Sequence, residues 1–118
     1  MQKAEKKIRY YPSLSKSFDF LQRNLSIKIT ITRAAEEAAM SSSAFSRAFK
    51  GATGFSFHQF LILQGLRRAI KAIEASDESL TIIAIQAGFE NLWSLEYNFK
   101  RHIGCEPSEY REAFLSTL

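Results

Sequence analysis

The sequence contains 118 residues, enough for one domain or for two small ones that bury a core without disulfides or metals. Its hydrophobic fraction of 46% and aromatic fraction of 13% predict a folded chain and exclude intrinsic disorder. The single cysteine, Cys105, excludes an internal disulfide and any metal site with several cysteine ligands. No run approaches ~18 uninterrupted apolar residues, so neither a membrane-spanning helix nor a membrane partner is predicted.

The net charge of +4 favours an anionic partner, but its distribution weakens that indication. Residues 1–9 hold a net charge of +3, which leaves +1 for the rest of the chain. The charge therefore predicts a basic N-terminal tail over residues 1–12 and does not by itself indicate nucleic-acid binding. This tail lacks the apolar core of a secretory signal, so a cytoplasmic location is expected.

Apolar residues recur at helical spacing along nearly the whole chain, and no segment has a convincing strand pattern. A first helix is predicted from Ser13, with Leu14, Phe18, Leu21 and Leu25 on one face. Further helices are expected at about 31–38, 42–52, 57–75, 80–87 and 92–103, and from Pro107 onward. The pattern predicts an all-α fold with about seven helices.

Residues that favour helix ends stand at the expected boundaries. Thr30, Ser79 and Asn91 are predicted N-caps, and Ser56 followed by Gln59 predicts a capping box. Further boundaries are predicted by three glycines and one proline, which are Gly54, Gly88, Gly104 and Pro107.

The most informative feature is an internal repeat. The pattern of residues 30–40 recurs 49 residues later, and that of residues 45–60 recurs 50 residues later. Each copy has a small residue before a turn, an apolar residue after it and a second helix, which is typical of a helix-turn-helix. The sequence thus predicts helix-turn-helix subdomains at 13–55 and 77–118, joined by a long linker helix at 56–76.

The repeat resembles the DNA-binding domain of the AraC/XylS family of bacterial transcription regulators over roughly residues 14–114. The matching segments are FSRAFK at 45–50, TGFSFHQF at 53–60, GF at 88–89, FKR at 99–101 and PSEYR at 107–111. The resemblance implies a sequence-specific transcription regulator whose two recognition helices enter successive major-groove segments of double-stranded promoter or operator DNA. The linker helix would set the separation of the recognition helices on an asymmetric site.

The resemblance also implies further partners and a location. RNA polymerase, an effector domain and self-association are candidate interactions, and DNA would place the protein on the nucleoid in the cytoplasm. The histidines, the cysteine and the carboxylates form no recognisable catalytic arrangement, so no enzyme activity, no cofactor and no metal is predicted.

On the predicted helix 42–52, the face opposite Phe45 and Phe49 is polar and basic. The candidate DNA-binding residues of this helix are Ser42, Ser43, Ser46, Arg47 and Lys50. Arg47 suits a bidentate contact with guanine, and the serines suit hydrogen bonds to a base edge or a phosphate. The alternative is an ordinary solvated helix face.

The candidate residues of the second recognition helix are Asn91, Trp93, Ser94, Tyr97, Lys100 and Arg101. The family often carries an arginine where Tyr97 stands and a small hydroxyl residue where Glu96 stands. Trp93 and Tyr97 would contact thymine methyls or phosphates, or would form a patch for another protein. Glu96 would accept from a cytosine amine or repel phosphates. We expect the first half-site to carry most of the base specificity.

The linker segment carries Ile62 and Leu63 where the family tends to place basic residues. These side chains would bury against an absent domain or a second chain, or would extend the core, which is the favoured interpretation. Gly65 inside this helix costs ~1 kcal/mol relative to alanine. The alternative function is a protein-interaction module that docks through Trp93, Tyr97 and these two residues.

Overall fold

The computed structural model describes residues 12–24 and 26–118, and within them it contains seven α-helices and no strand. The predicted all-α fold is confirmed. The helices are α1 Pro12–Arg23, α2 Ile31–Glu37, α3 Ser42–Thr53, α4 Phe57–Ala75, α5 Leu80–Gln86, α6 Leu92–Ile103 and α7 Pro107–Ser116. In this part of the chain, no helix combines the length and the apolar character needed to cross a bilayer.

Three predictions fall wholly or partly outside the described residues. The predicted basic tail over residues 1–12 lies outside the described residues except for Pro12. Helix α1 begins at Pro12, one residue before the predicted start at Ser13. Leu25 and the side chain of Phe18, both assigned to the inner face of α1, also lie outside.

The repeat is visible in the helix lengths. Helices α2 and α5 have seven residues each and begin 49 residues apart, whereas α3 and α6 have 12 residues each and begin 50 residues apart. The 19-residue α4 follows the first helix-turn-helix and precedes the second. The chain divides into two compact units within α4, between Leu61 and Ile62. The boundaries at 13–55, 56–76 and 77–118 stay predictions.

Side-chain caps determine where the repeated helices begin. The predicted N-caps Thr30, Ser79 and Asn91 are confirmed, because each side-chain oxygen accepts a hydrogen bond from the backbone amide three residues later, at 2.8 to 3.2 Å. A fourth N-cap, Ser41, was not predicted. Its hydroxyl accepts from the amide of Ala44 at 3.2 Å, and it stands 50 residues before Asn91.

The other predicted boundaries are also present. The amide of Gln59 donates to the Ser56 hydroxyl at 3.2 Å, and the amide of Ser56 donates to Gln59 Oε1 at 3.1 Å, which is a capping box. Gly54 ends α3 with φ 79°, and Gly104 ends α6 with φ 97°, a left-handed conformation in which a Cβ is strained. Helices α3 and α6 therefore end at equivalent positions of the repeat.

The first unit packs around phenylalanine rings that meet edge to face. Phe45, Phe49 and Phe60 are almost completely buried. The ring centroid of Phe49 lies 5.1 Å from that of Phe60 and 5.5 Å from that of Phe57, with the planes near perpendicular, a favourable aromatic geometry. The other buried members of this core are Leu14, Phe20, Leu21, Ala34, Ala35, Ala38, Ala52 and Leu61.

The second unit buries the inner faces of α4, α5 and α6. Its buried apolar residues are Leu66, Ala69, Ile73, Ile83, Ala84, Ala87, Phe89, Leu95 and Phe99. Ile103 was predicted on the inner face of α6 but is 36% exposed, because it is the last residue of that helix, one turn beyond Phe99. Ile62 and Leu63 are half-buried, so the chain itself covers part of both side chains.

Gly65 has a packing role that explains its presence inside α4. A Cβ at this position would lie 2.9 Å from Cε2 of Phe89 and 3.4 Å from the carbonyl oxygen of Ala87. The turn after α5 approaches α4 this closely because residue 65 has no side chain.

We expect Gly65→Ala to lower the free energy of unfolding by about 1–2 kcal/mol, because crowding against Phe89 outweighs the gain in helix propensity. The matched control is Gly51→Ala in α3, where a Cβ would have no neighbour within 4 Å. This control should raise the free energy of unfolding by about 0.5–1 kcal/mol. Urea unfolding followed by circular dichroism measures both changes, and stabilisation by both substitutions would contradict the packing argument.

Candidate nucleic-acid interface

The polar side of α3 faces solvent because its phenylalanines anchor the opposite side in the core. All five predicted DNA-binding residues of this helix are exposed there, namely Ser42, Ser43, Ser46, Arg47 and Lys50. Helix α3 contains no acidic residue, and neither Arg47 nor Lys50 has an ion-pair partner within residues 12–24 and 26–118. The face is thus positively charged and unobstructed, as contact with an anionic polymer requires.

The predicted residues of α6 fall into two groups. Trp93, Tyr97, Lys100 and Arg101 line one open groove. The other two, Asn91 and Ser94, take part in hydrogen bonds at the start of the helix itself. Asn91 is the N-cap, and Ser94 is half-buried, donates its amide to that cap and accepts from the side-chain amide of Asn98 at 2.9 Å through its carbonyl.

Trp93 and Tyr97 form an exposed aromatic stack. Their ring centroids lie 5.5 Å apart with an interplanar angle of 15°. Trp93 is 70% exposed and Tyr97 is 52% exposed. The guanidinium of Arg101 donates to the Tyr97 hydroxyl at 3.4 Å, a long hydrogen bond that closes one end of the stack. The pair is therefore an exposed and mainly apolar aromatic stack on the outward side of the helix.

The groove beside this stack has a volume of about 720 Å³ and carries charges of both signs. Lys100 Nζ lies 3.7 Å from Glu106 Oε1, at the start of α7. Glu96 also lines the groove and has no ion-pair partner among the described residues. Unlike the face of α3, this face combines two cations with two carboxylates.

The repeat permits a direct comparison of the two outward faces. Residues 50 apart occupy the same positions in α3 and α6. Trp93 stands where the first unit has Ser43, and Tyr97 stands where it has Arg47. Helices α3 and α6 therefore share their length and the positions of their caps but differ in their outward side chains. Helix α3 presents short hydroxyls and a guanidinium, and α6 presents aromatic rings.

An arginine that the sequence analysis missed secures the end of α5. Arg68 of α4 donates from Nε and Nη2 to the carbonyl oxygen of Ala87, at 3.0 and 2.7 Å. Ala87 is the C-cap of α5, where a positive charge is favourable and carbonyls lack helical partners. Burial lowers the pKa of Arg68 from its ordinary value. The partners are 19 residues apart, and no motif of the sequence indicated the contact.

A second contact joins α7 to α4. The Tyr110 hydroxyl donates to a carboxylate oxygen of Glu74 at 2.5 Å. This hydrogen bond, with partial burial and the negative charge of Glu74, raises the pKa of Tyr110 above its ordinary value. The pKa of Tyr110 is raised in the folded state. The contact therefore stabilises the folded protein fully at pH values below the unfolded-state pKa, and this stabilisation is lost as the pH rises through the folded-state pKa.

Tyr110→Phe should lower the free energy of unfolding by about 0.5–1 kcal/mol near neutral pH, because one side-chain hydrogen bond is lost. The difference from the wild type should shrink as the pH rises above ~10, where the tyrosine ionises. Urea unfolding midpoints of both proteins at about pH 8 and above pH ~10 check this. A difference that stays constant with pH would show that the contact is not linked to ionisation.

The remaining metal-binding and nucleophilic residue types are dispersed. His58 and His102 are exposed, and Cys105 is a half-buried free thiol. No group of three or more histidine, cysteine, aspartate or glutamate side chains that could hold a metal occurs in the described part of the chain.

Comparison with known proteins identifies the family. A family model for a helix-turn-helix domain matches residues 34–113, more than half of the chain. The chain belongs to the AraC-type helix-turn-helix family. This family consists of DNA-binding transcription regulators, and the AraC-type resemblance noted from the motifs is confirmed.

Relatives of this AraC-type chain include both small and large proteins. It is 26% identical over 93 residues to the multiple antibiotic resistance protein MarA of Escherichia coli, and the match covers 79% of the chain and 73% of MarA. It is 28% identical over 93 residues to an HTH-type transcriptional regulator of Staphylococcus aureus, covering 79% of the chain but only 12% of that protein.

A solved structure shares the AraC-type fold. The DNA-binding domain of AdpA, a global transcriptional factor, was crystallised in complex with a target DNA. It superposes with a TM-score of 0.82 at 29% identity, covering 87% of this chain and 93% of that domain.

Proposed function

We propose that this chain binds a specific duplex DNA sequence through the outward faces of α3 and α6, and regulates transcription from the promoter or operator that contains it. The observation that carries the proposal is the pair of 12-residue helices with matching caps and solvent-facing sides, the first of them basic and free of carboxylates. The structural relative AdpA, with its bound target DNA, supports the same use of the fold.

In this proposal the first unit reads bases. Arg47 forms two hydrogen bonds with the guanine O6 and N7 atoms, the commonest specific contact in the major groove. Ser43 and Ser46 have short side chains that allow close approach and hydrogen-bond a base edge or a phosphate. Ser42 lies in the first turn of α3, and Lys50 lies near its end, where both meet the DNA backbone.

The second unit supplies mainly backbone affinity in this proposal. Lys100 and Arg101 provide positive charge in the last turn of α6, and Asn91 and Ser94 provide polar groups at its start. Glu96 opposes phosphate binding unless it pairs with a cytosine amine or a nearby cation. Direct reading by hydrogen bonds is therefore concentrated in α3.

Selection of bound sequences from a random duplex library gives the operator, and a series of single base-pair changes in it tests the asymmetry. Changes under α3 should each cost ~1–3 kcal/mol of binding free energy, and changes under α6 less than ~1 kcal/mol. Glu96→Ala should strengthen binding or leave it unchanged, with little change in sequence preference. Equal penalties in both half-sites, or a lost cytosine preference in the variant, would refute the asymmetry.

The second candidate function is docking of a protein partner. Ile82 and Ile85 of α5 are 42% and 54% exposed, where the equivalent residues of α2 are Arg33 and Glu36. These side chains, with the aromatic stack, suit association with RNA polymerase, an effector domain or a second copy. Affinity for DNA that falls steeply with salt supports the first function, whereas salt-insensitive self-association without DNA binding supports the second.

The proposal gives the chain a binding role with no catalytic step and no cofactor. A regulator of this kind works on chromosomal DNA, so we propose a cytoplasmic location on the nucleoid. Because the chain spans 12% of one relative and 73% of another, an attached effector domain belongs to the proposal as well.

A further inference from the structure

The aromatic stack of α6 occupies positions from which a recognition helix contacts bases. Trp93 is the second residue of α6 and Tyr97 is the sixth, whereas Lys100 and Arg101 follow toward the helix end. Residues near the start of a recognition helix reach base edges when the helix enters the major groove. The repeat places the stack at the positions of Ser43 and Arg47.

The chemistry of the stack limits what it can recognise there. Guanine, adenine and cytosine are distinguished in the major groove by hydrogen-bonding groups, whereas thymine also presents an apolar group, its C5 methyl. An indole offers a single N–H donor, and the Tyr97 hydroxyl, which accepts from Arg101 at 3.4 Å, offers a single O–H donor. The remaining surface of both rings is apolar, so its favourable contact in the groove is with a methyl group.

The stack is also organised before binding. Its rings hold one another at a centroid separation of 5.5 Å, with an interplanar angle of 15°. Aromatic side chains have two rotatable bonds, so little conformational entropy is lost when they are ordered against DNA. Exposure of 70% for Trp93 and 52% for Tyr97 leaves more than half of each residue's surface available for contact.

We propose that the Trp93–Tyr97 stack reads thymine methyl groups in the second half-site. The inference rests on the proposed DNA-binding function and assigns the specificity of its second helix. Burying one methyl group changes the binding constant by about fourfold, equivalent to ~0.8 kcal/mol. The second half-site then prefers thymine at one or two positions, more weakly than a bidentate arginine selects guanine.

The test replaces each thymine of the second half-site by deoxyuridine, one at a time, in the selected operator duplex. This substitution removes only the methyl group and leaves every base-pairing group in place. Fluorescence anisotropy at fixed salt should show binding weakened by about three- to fivefold at one or two positions for the wild type. Trp93→Ala with Tyr97→Ala should bind the thymine duplex more weakly and lose the difference between thymine and deoxyuridine. Arg47→Ala is the matched control and should keep that difference.

The outcomes separate this inference from the function on which it rests. Selective duplex binding with no deoxyuridine effect in the wild type overturns methyl reading and leaves the DNA-binding function intact. An effect of the same size in the double variant also overturns it, because the methyl then acts through DNA stiffness or another residue. Unchanged DNA affinity with altered self-association in the variant assigns the stack to a protein contact instead. Failure to select any duplex overturns both proposals.

Discussion

Arg47→Ala is expected to weaken binding to the selected operator by ~1–3 kcal/mol and to relax preference at one base pair. The guanidinium is exposed on a helix without carboxylates and has no ion-pair partner among the described residues, so its donors remain available for guanine. Anisotropy titrations against the operator and its three variants at the contacted position measure both effects. Folding should be unaffected, because Arg47 is exposed and its side chain takes part in no hydrogen bond or ion pair with the described residues.

Lys50→Ala is the matched control for this prediction. Lys50 lies on the same exposed face, three residues further along α3. Its loss should weaken all sequences about equally and reduce the salt slope by about 1, as a phosphate contact requires. If Arg47→Ala behaves in this uniform way, Arg47 touches only phosphate, and if it has no effect, Arg47 lies outside the interface.

The largest expected effect on stability comes from Arg68→Ala. This substitution removes both hydrogen bonds to the Ala87 carbonyl and leaves that buried oxygen without its partner. We expect the free energy of unfolding to fall by about 2–3 kcal/mol, because an unsatisfied buried acceptor adds its desolvation cost to the lost bonds. Urea unfolding followed by circular dichroism measures the change.

Two further variants make the Arg68 prediction specific. Lys71→Ala, on the exposed side of the same helix, should change stability by less than ~0.5 kcal/mol. Arg68→Lys keeps a positive charge but cannot donate from two nitrogens to one oxygen, so it should recover only part of the loss. Full recovery by lysine would show that charge at the end of α5 matters more than the paired hydrogen bonds.

The sequence predicted the helices and their ends because those features depend on local chemistry. Thr30, Ser79 and Asn91 cap through amides three residues away, and Gly54 and Gly104 act at their own backbone angles. Ser41 was missed because it opens a run of three serines, and the pattern does not say which of them is the cap. Comparison with Asn91 in the repeat would have identified it.

Contacts between helices were beyond the sequence. The hydrogen bonds from Arg68 to Ala87 and from Tyr110 to Glu74 join residues 19 and 36 positions apart, and neither pair carries a motif. Gly65 was recognised as unfavourable in a helix, but its benefit lies in the approach of Phe89.

The candidate site was predicted in composition but not in arrangement. Helical periodicity placed the named residues of α3 and α6 on outward faces, because the apolar residues of each helix recur every three or four positions on the opposite side. Periodicity did not separate Ser94, which is half-buried, from the exposed Trp93, nor did it show that Trp93 and Tyr97 stack. Those facts depend on side-chain rotamers and on neighbours from other turns.

Helices α3 and α6 have the same length and equivalent caps, so their outward residues can be exchanged without changing the helix. Each helix starts at a side-chain cap, ends at a left-handed glycine and is anchored by two buried residues four positions apart. The exposed residues within each helix, such as Arg47 and Tyr97, take no part in these features. The outward residues of one helix can therefore be exchanged without loss of folding, so the bases that each half of the protein contacts can change independently of the other half.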